Sequence, residues 1–161
     1  MGRMYTAQFS AIAVTVAQDI FEIAAPADAC VVVHEWGIFQ STDVGDAAEE
    51  ILRIECVRGV GAVTSGTGGT TVTTQPVADG DPAFGGVVEA NNVTTRMVVG
   101  TGSLDTLSQH GWNVRMPLEK IYTPEQRPVI SPSNRWTIAL PVAPVDSLTM
   151  SGYVVFEEIG G

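Results

Sequence analysis

Residues 30–39 read Cys-Val-Val-Val-His-Glu-Trp-Gly-Ile-Phe, and this stretch decides the fold class. Valine, isoleucine and the aromatic residues are the types that fit the pleated surface of a β-sheet. Three consecutive valines, a tryptophan, an isoleucine and a phenylalanine stand here within ten positions. The stretch therefore predicts a strand that crosses the centre of a sheet.

On either side of this stretch, apolar and polar residues alternate, and a period of two is typical of a strand with one buried face. No stretch keeps a helical period for more than one or two turns. About eight short strands are expected, which indicates an all-β, antiparallel sandwich of two sheets of jelly-roll type, with a simpler Greek-key barrel as the alternative. The clearest alternating positions are Tyr5 and Phe9; Leu52, Ile54 and Cys56; Trp112, Val114, Met116 and Leu118; Trp136, Ile138 and Leu140; and the run 148–156.

The size of the chain predicts a single domain over residues 1–161, because one hydrophobic core commonly serves roughly 100–200 residues. Hydrophobic residues make up 45% of the sequence, which is enough for a core. Charged residues make up only 16%, so much of the surface consists of small polar or apolar side chains. A surface that is short of charge tends to associate with partners.

Glycine and threonine dominate residues 59–86, which include the run Ser-Gly-Thr-Gly-Gly-Thr at 65–70. A structureless connection longer than about 12–15 residues is unusual in a compact domain. We therefore expect a long loop or arm, which either contacts a neighbouring subunit or a ligand, or is a mobile surface loop. The linker 41–50 carries Asp43, Gly45 and Asp46, which predict the end of a strand and a short helical turn.

The formal net charge of −10 argues against a nucleic-acid partner, because the chain would repel a phosphate backbone. Lys120 is the only lysine, and the arginines are scattered from Arg3 to Arg135 without forming a basic stripe. No apolar run approaches the roughly 18 residues that span a bilayer, so no membrane partner is expected.

Cys30 and Cys56 are the only cysteines, and both lie in apolar, strand-like runs. Two buried, unbonded thiols are the expectation. A disulfide remains open if the two runs pair as neighbours, since spacing along the chain does not fix the distance between them.

We find no catalytic, metal-binding or cofactor-binding signature. His34-Glu35 begins like a zinc-protease motif, but Ile38 stands where the second histidine is required. The glycines of residues 66–69 lack the lysine and the following helix of a phosphate-binding loop. The three tryptophans fall in strand-like runs, where core packing is the expected role.

Scattered segments along most of the chain resemble small proteins encoded among the structural genes of tailed bacteriophages. These segments are residues 18–23 (QDIFEI), 26–28 (PAD), 33–35 (VHE), 40–41 (QS), 45–46 (GD), 113–115 (NVR), 124–125 (PE), 127–128 (RP) and 156–160 (FEEIG). The resemblance implies a jelly-roll-like virion subunit, namely a capsid decoration or cement protein on the exterior of the capsid.

The partners that this resemblance implies are the major capsid protein and further copies of the chain, commonly as a homotrimer. A phage tail or connector subunit, and a carbohydrate- or receptor-binding sandwich, are the alternatives. An enzyme comes last, because no convergent polar cluster can be assembled from the sequence. The candidate intersubunit contacts are Arg3, Tyr5, Gly66, Thr67, Gly68, Gly69 and Thr70.

Overall fold

The computed structural model describes residues 2–41 and 49–160. The short helical turn expected in the linker 41–50 falls on residues 42–48 and so lies outside the described residues. The described strands are, in chain order, β1 (Arg3–Val14), β2 (Gln18–Ala24), β3 (Ala29–Gln40), β4 (Ile51–Val60), β5 (Val63–Thr64), β6 (Thr70–Thr71), β7 (Gln75–Pro76), β8 (Val87–Asn92), β9 (Val98–Val99), β10 (Ser103–Asn113), β11 (Leu118–Ile121), β12 (Val129–Ile130), β13 (Arg135–Leu140) and β14 (Leu148–Gly160), with a 3-10 turn at Pro124–Gln126.

Two antiparallel sheets contain nearly all of these strands. The first sheet has the order β11-β3-β14-β1-β7, with β12 also paired to β3, and the second has the order β10-β4-β13-β2-β8-β6. The pair β5-β9 forms a small third sheet. The all-β, two-sheet prediction is confirmed.

The chain crosses from one sheet to the other after each of β1, β2 and β3, whereas β4 and the next long strand, β10, are neighbours in the second sheet. β1, β3, β11 and β14 belong to the first sheet, whereas β2, β4, β10 and β13 belong to the second. The first and last long strands, β1 and β14, pair with each other inside the first sheet.

The core lies between the sheets and is filled by the alternating apolar positions of the sequence. On β14, Met150, Val154 and Phe156 point inward, while Tyr153 and Val155 are partly exposed on the other face. Strand β3 lies between β14 and β11, so the valine-rich stretch is an inner strand, as predicted. All three tryptophans are buried, which confirms their expected role in the core.

The predicted arm at 59–86 is largely built into the domain. Strand β6 pairs with β8 and so extends the second sheet, and β7 pairs with β1 and so extends the first. The predicted loop is therefore not a free arm, because these short pairings connect it to both sheets. Short strands with only two residue pairs each leave no strong alternating pattern, which is why the sequence did not reveal them.

Two further expectations are corrected. The alternating positions 112–118 do not form one strand, because β10 ends at Asn113 and β11 begins at Leu118 in the opposite sheet.

The cysteines also lie in different sheets, Cys30 on β3 and Cys56 on β4, and they are not bonded to each other. Cys56 is buried as predicted, but Cys30 is partly exposed because it points away from the core.

Candidate functional site

The Gly/Thr segment, residues 59–86, is anchored near its start by a buried carboxylate. Glu22 lies on β2 with only 2% of its surface exposed. Its Oε2 atom accepts hydrogen bonds from the Gly66 amide (2.8 Å) and from the Asn92 side chain (3.1 Å). Its Oε1 atom lies 3.3 Å from Nε of Arg135. Because a buried carboxylate needs such partners, Glu22 holds the backbone of the segment in one place.

A second carboxylate on β2 holds the neighbouring loop. Asp19 is 1% exposed, accepts a hydrogen bond from the Met97 amide and lies 3.4 Å from Nε of Arg96. This loop in turn contacts the segment, since the Thr67 amide donates to the Thr95 carbonyl (2.9 Å) and the Thr94 amide donates to the Thr67 carbonyl (2.9 Å). The two loops therefore cover the outer face of β2 together.

The segment is also anchored near its end. The Gly85 amide donates to Oε1 of Glu158 (3.2 Å), and the Tyr5 hydroxyl donates to Oε2 of the same residue (3.3 Å). The ring of Phe84 packs against Tyr5 and Phe156, with ring centroids 5.5 and 4.9 Å apart. Hydrogen bonds and aromatic packing thus fix the chain on both sides of the exposed middle of the segment.

The structure separates the seven predicted contact residues into two groups. Tyr5 is fully buried and Gly66 is buried too, so neither can touch another subunit from this position, and both predictions are corrected. Their roles are internal, because both bond to the anchoring carboxylates. Arg3 joins the same anchor through Nη1, which lies 3.5 Å from Oε2 of Glu158. The exposed group is Thr67, Gly68, Gly69 and Thr70.

Gly68, Gly69 and Thr70 line a groove of about 410 Å³ between the segment and β1. We call it the uncharged groove, because every residue around it is uncharged. From Gly59 to Ala78 the sequence contains no charged residue. The groove is lined by Gln8, Phe9, Ser10, Ile12, Gly68, Gly69, Thr70, Thr71, Val72, Thr73, Ala90, Asn91 and Val93.

Comparisons with known proteins add no family to this picture. No family model matches the chain, and neither a curated protein nor a solved structure matches it.

Burial makes the two carboxylates on β2 sensitive to pH. Desolvation raises the pKa of Asp19 and that of Glu22 above their ordinary values. The hydrogen bonds that both carboxylates accept from backbone amides lower the pKa, but by less. A raised pKa means that the folded chain holds the proton more tightly than the unfolded chain does. The stability that this contributes is present below the unfolded pKa and is lost as the pH rises through the folded pKa.

We therefore expect the melting temperature to be higher at pH 5 than at pH 8, because the folded chain loses this contribution as the two carboxyl groups ionise. Differential scanning calorimetry across this range measures it. The double variant Asp19→Asn, Glu22→Gln should flatten the profile, since it removes both protons. A melting temperature that rises from pH 5 to pH 8 would contradict the assignment.

A polar cluster that the sequence did not reveal lies at the side of the sandwich where β10 faces β11. The Trp36 indole donates to the Tyr122 hydroxyl (3.1 Å), and that hydroxyl donates to Sγ of Cys56 (3.5 Å). Ser108 and His110 stand beside them on β10, with Oγ and Nε2 3.1 Å apart. These residues come from four strands or strand ends, so no local motif could have found them.

The protonation states in this cluster do not favour nucleophilic chemistry. Burial raises the pKa of the Cys56 thiol and that of the Tyr122 hydroxyl, so both keep their protons at neutral pH. Burial, with the positive charge of Lys120, lowers the pKa of His110. Among residues 2–41 and 49–160, no carboxylate bonds to His110, so its pairing with Ser108 lacks the third group of a catalytic triad.

The described residues, 2–41 and 49–160, contain no group of three or more His, Cys, Asp or Glu placed to hold a metal ion. Within the same ranges, no helix has the length and apolar character needed to cross a membrane.

Proposed function

We propose that this protein is a non-enzymatic structural subunit of a phage virion, most specifically a decoration or cement subunit on the exterior of the capsid. Its partners would be the major capsid protein and further copies of itself. The observation that carries the proposal is the exposed, uncharged surface around Gly68 to Thr73, which both anchors hold in place. The resemblance to small phage structural proteins points in the same direction.

Charge explains why this surface suits self-association. Each copy carries a formal charge of −10, so most faces of two copies repel each other. The uncharged groove allows contact without placing like charges opposite each other, which would cost several kcal/mol. Contact at this surface also needs no burial of an unpaired carboxylate.

The anchors lower the entropic cost of such a contact. A free loop of this length would have to be ordered on binding, at about 0.5–1.5 kcal/mol for each immobilised side chain. Here the hydrogen bonds from Gly66 and Gly85 to Glu22 and Glu158 order the backbone beforehand. A cement subunit gains from this, because many modest contacts across a lattice add by multivalency and stabilise the form of the lattice that is bound.

A homotrimer predicts a solution mass of about 51 kDa, three times the chain mass of 17.0 kDa, by light scattering after size exclusion. Replacing Thr70 and Thr73 with glutamate should weaken the assembly at least about tenfold, because it places like charges at the contact. The control is Thr101→Glu, which adds a charge at an exposed turn outside the groove. Equal assembly of the double variant and the control would contradict the use of this surface.

Position in the particle is tested by immunogold labelling of virions of the phage that encodes the chain, with antibodies raised against the purified protein. Label on the head is the expected result. Label on the tail or at the portal would favour the tail or connector alternative. Absence of label from the whole particle would overturn the proposal of a virion subunit.

A carbohydrate-binding module remains a second candidate because of one feature of the first sheet. On its outer face, a depression of about 710 Å³ is lined by Phe39, Tyr153 and Gln8, among others. Phe39 is 41% exposed, and the Tyr153 ring lies over Gly37. A stacking platform built from tryptophan is excluded, since all three are buried. Retention on a glycan surface that is lost in Tyr153→Ala would favour this candidate.

A further inference from the structure

Basic side chains converge on one cleft, although the chain as a whole is acidic. The cleft has a volume of about 560 Å³ and lies between β10 of the second sheet and the β11–β12 edge of the first. Arg58, Lys120 and Arg127 all line it. They are three of the eight basic residues in the sequence. We call this site the basic cleft.

The basic cleft also contains unsatisfied hydrogen-bond donors. The Nε atoms of Arg58 and Arg127 are both buried, and neither has a hydrogen-bond partner within residues 2–41 and 49–160. In the same ranges, Lys120 and Arg127 form no ion pair, and the Lys120 ammonium lies 5.4 Å from the centre of the Tyr122 ring. Buried donors without partners are rare in proteins, so both guanidinium groups have fewer acceptors inside the protein than they can bond to.

The local charge balance favours an anion. Glu125 also lines the cleft, and Arg58 is paired with Asp105 at 3.3 Å. Three cations thus stand against two carboxylates, so the cleft is locally positive. In a chain with a net charge of −10, a locally positive concave site is where an anion is held against the general repulsion.

The remaining walls determine what else the ligand carries. Leu107 and Val129 are 40% and 47% exposed, and together with Pro128 they form apolar walls beside the cations. The Ser108 hydroxyl lines the cleft too and can donate a hydrogen bond. A volume in the range of about 300–1,000 Å³, with apolar walls and a few convergent polar groups, is characteristic of a site for a small organic molecule.

We propose that the basic cleft binds a small organic anion, with its carboxylate or phosphate head on Arg58, Lys120 and Arg127 and its apolar body against Leu107 and Val129. This inference does not rest on the proposed virion role. The basic cleft lies at the β10 edge of the second sheet, whereas β6 and the uncharged groove lie at the other edge. The inference therefore applies to an isolated subunit as well as to an assembled one.

Two-dimensional NMR of the ¹⁵N-labelled full chain tests the proposal, with benzoate as the carboxylate probe, phenyl phosphate as the phosphate probe and benzamide as the neutral analogue. The reporter is the indole N–H signal of Trp36, because this group donates to Tyr122 on the wall of the cleft. We expect at least one of the two anions to shift this signal in a saturable way, and benzamide to bind at least about tenfold more weakly. The anion that binds more tightly identifies the head group.

Arg127→Gln and Lys120→Gln should each weaken binding about tenfold or more, since a hydrogen bond to a charged group contributes about 1.5–3 kcal/mol. Arg127→Lys should keep part of the affinity because it retains the charge. Arg53→Gln, at an arginine that is paired with Glu55 elsewhere on the surface, is the matched control and should bind as the wild type does. Absence of any shift at millimolar anion, or equal affinity of the wild type and both glutamine variants, would overturn the proposal.

Discussion

Replacing Glu22 with alanine is expected to lower the free energy of unfolding by about 3–5 kcal/mol, the cost of breaking a buried ion pair from one side. The change leaves the Arg135 guanidinium without its buried counter-ion and removes the acceptor of the Gly66 amide and of Asn92. A domain of ordinary stability has only about 5–15 kcal/mol to lose. Equilibrium unfolding in urea measures the change.

Two variants separate the anchoring role of Glu22 from a general loss of the fold. Glu22→Gln keeps an oxygen that can accept the Gly66 amide and should cost less than Glu22→Ala. Asp105→Ala removes a carboxylate that is also paired with an arginine but is 42% exposed, and should cost less than about 1 kcal/mol. If Glu22→Ala cost no more than Asp105→Ala, Glu22 would not be an anchor of the segment.

Phe156→Ala should destabilise the protein by about 3–5 kcal/mol, as truncation of a buried phenylalanine generally does. Phe156 is fully buried, and its ring packs against Tyr5 at 5.8 Å and against Phe84 at 4.9 Å between centroids. Because Phe84 belongs to the Gly/Thr segment, the same change loosens the end of that segment. Urea unfolding gives the free energy, and limited proteolysis between residues 72 and 86 reports the loosening.

The matched control for this change is Phe39→Ala, on the outer face of the first sheet. Phe39 is 41% exposed, so its truncation should lower the free energy of unfolding much less than truncation of Phe156 does. It should also leave the proteolysis pattern unchanged. Phe156→Leu fills part of the space and provides a folded variant if the alanine change prevents folding. Equal proteolysis of Phe156→Leu and the wild type would argue that the aromatic packing does not fix the segment.

Together the two changes test whether the exposed surface is organised before any partner binds. Loss of either anchor should reduce self-association as well as stability, since the freed backbone would have to be ordered on binding. Unchanged association after the loss of an anchor would leave the uncharged character of the groove as the only support for the proposed interface.

The inner strands could be predicted from the sequence because the direction of a side chain along a strand is local information. The valine-rich stretch at 30–39 corresponds to β3, and the alternation at Trp136, Ile138 and Leu140 corresponds to β13. The same rule failed at 112–118, where an alternating pattern continues through a turn between two sheets. A turn there leaves the period of the sequence unchanged, so periodicity could not detect it.

The candidate sites, in contrast, could not be predicted from local sequence patterns. Composition singles out the Gly/Thr segment, but its two-residue strands carry no alternating pattern. The sequence also predicts Tyr5 and Gly66 as intersubunit contacts, although both are buried. No pattern in the sequence predicts the basic cleft. Arg58, Lys120 and Arg127 lie on three separate elements and appear as scattered charges.

Charge, length and a period of two are properties of the chain alone, so the sequence is enough to show that this chain is acidic, of the size of one domain and built from strands. The anchoring of the Gly/Thr segment and the basic cleft become visible only in the folded protein. The decisive contacts join residues far apart in the chain, 44 positions between Glu22 and Gly66 and 73 between Gly85 and Glu158. Such partners are chosen by burial in the complete fold, where a carboxylate removed from water must take whichever donors the packed sheets bring to it.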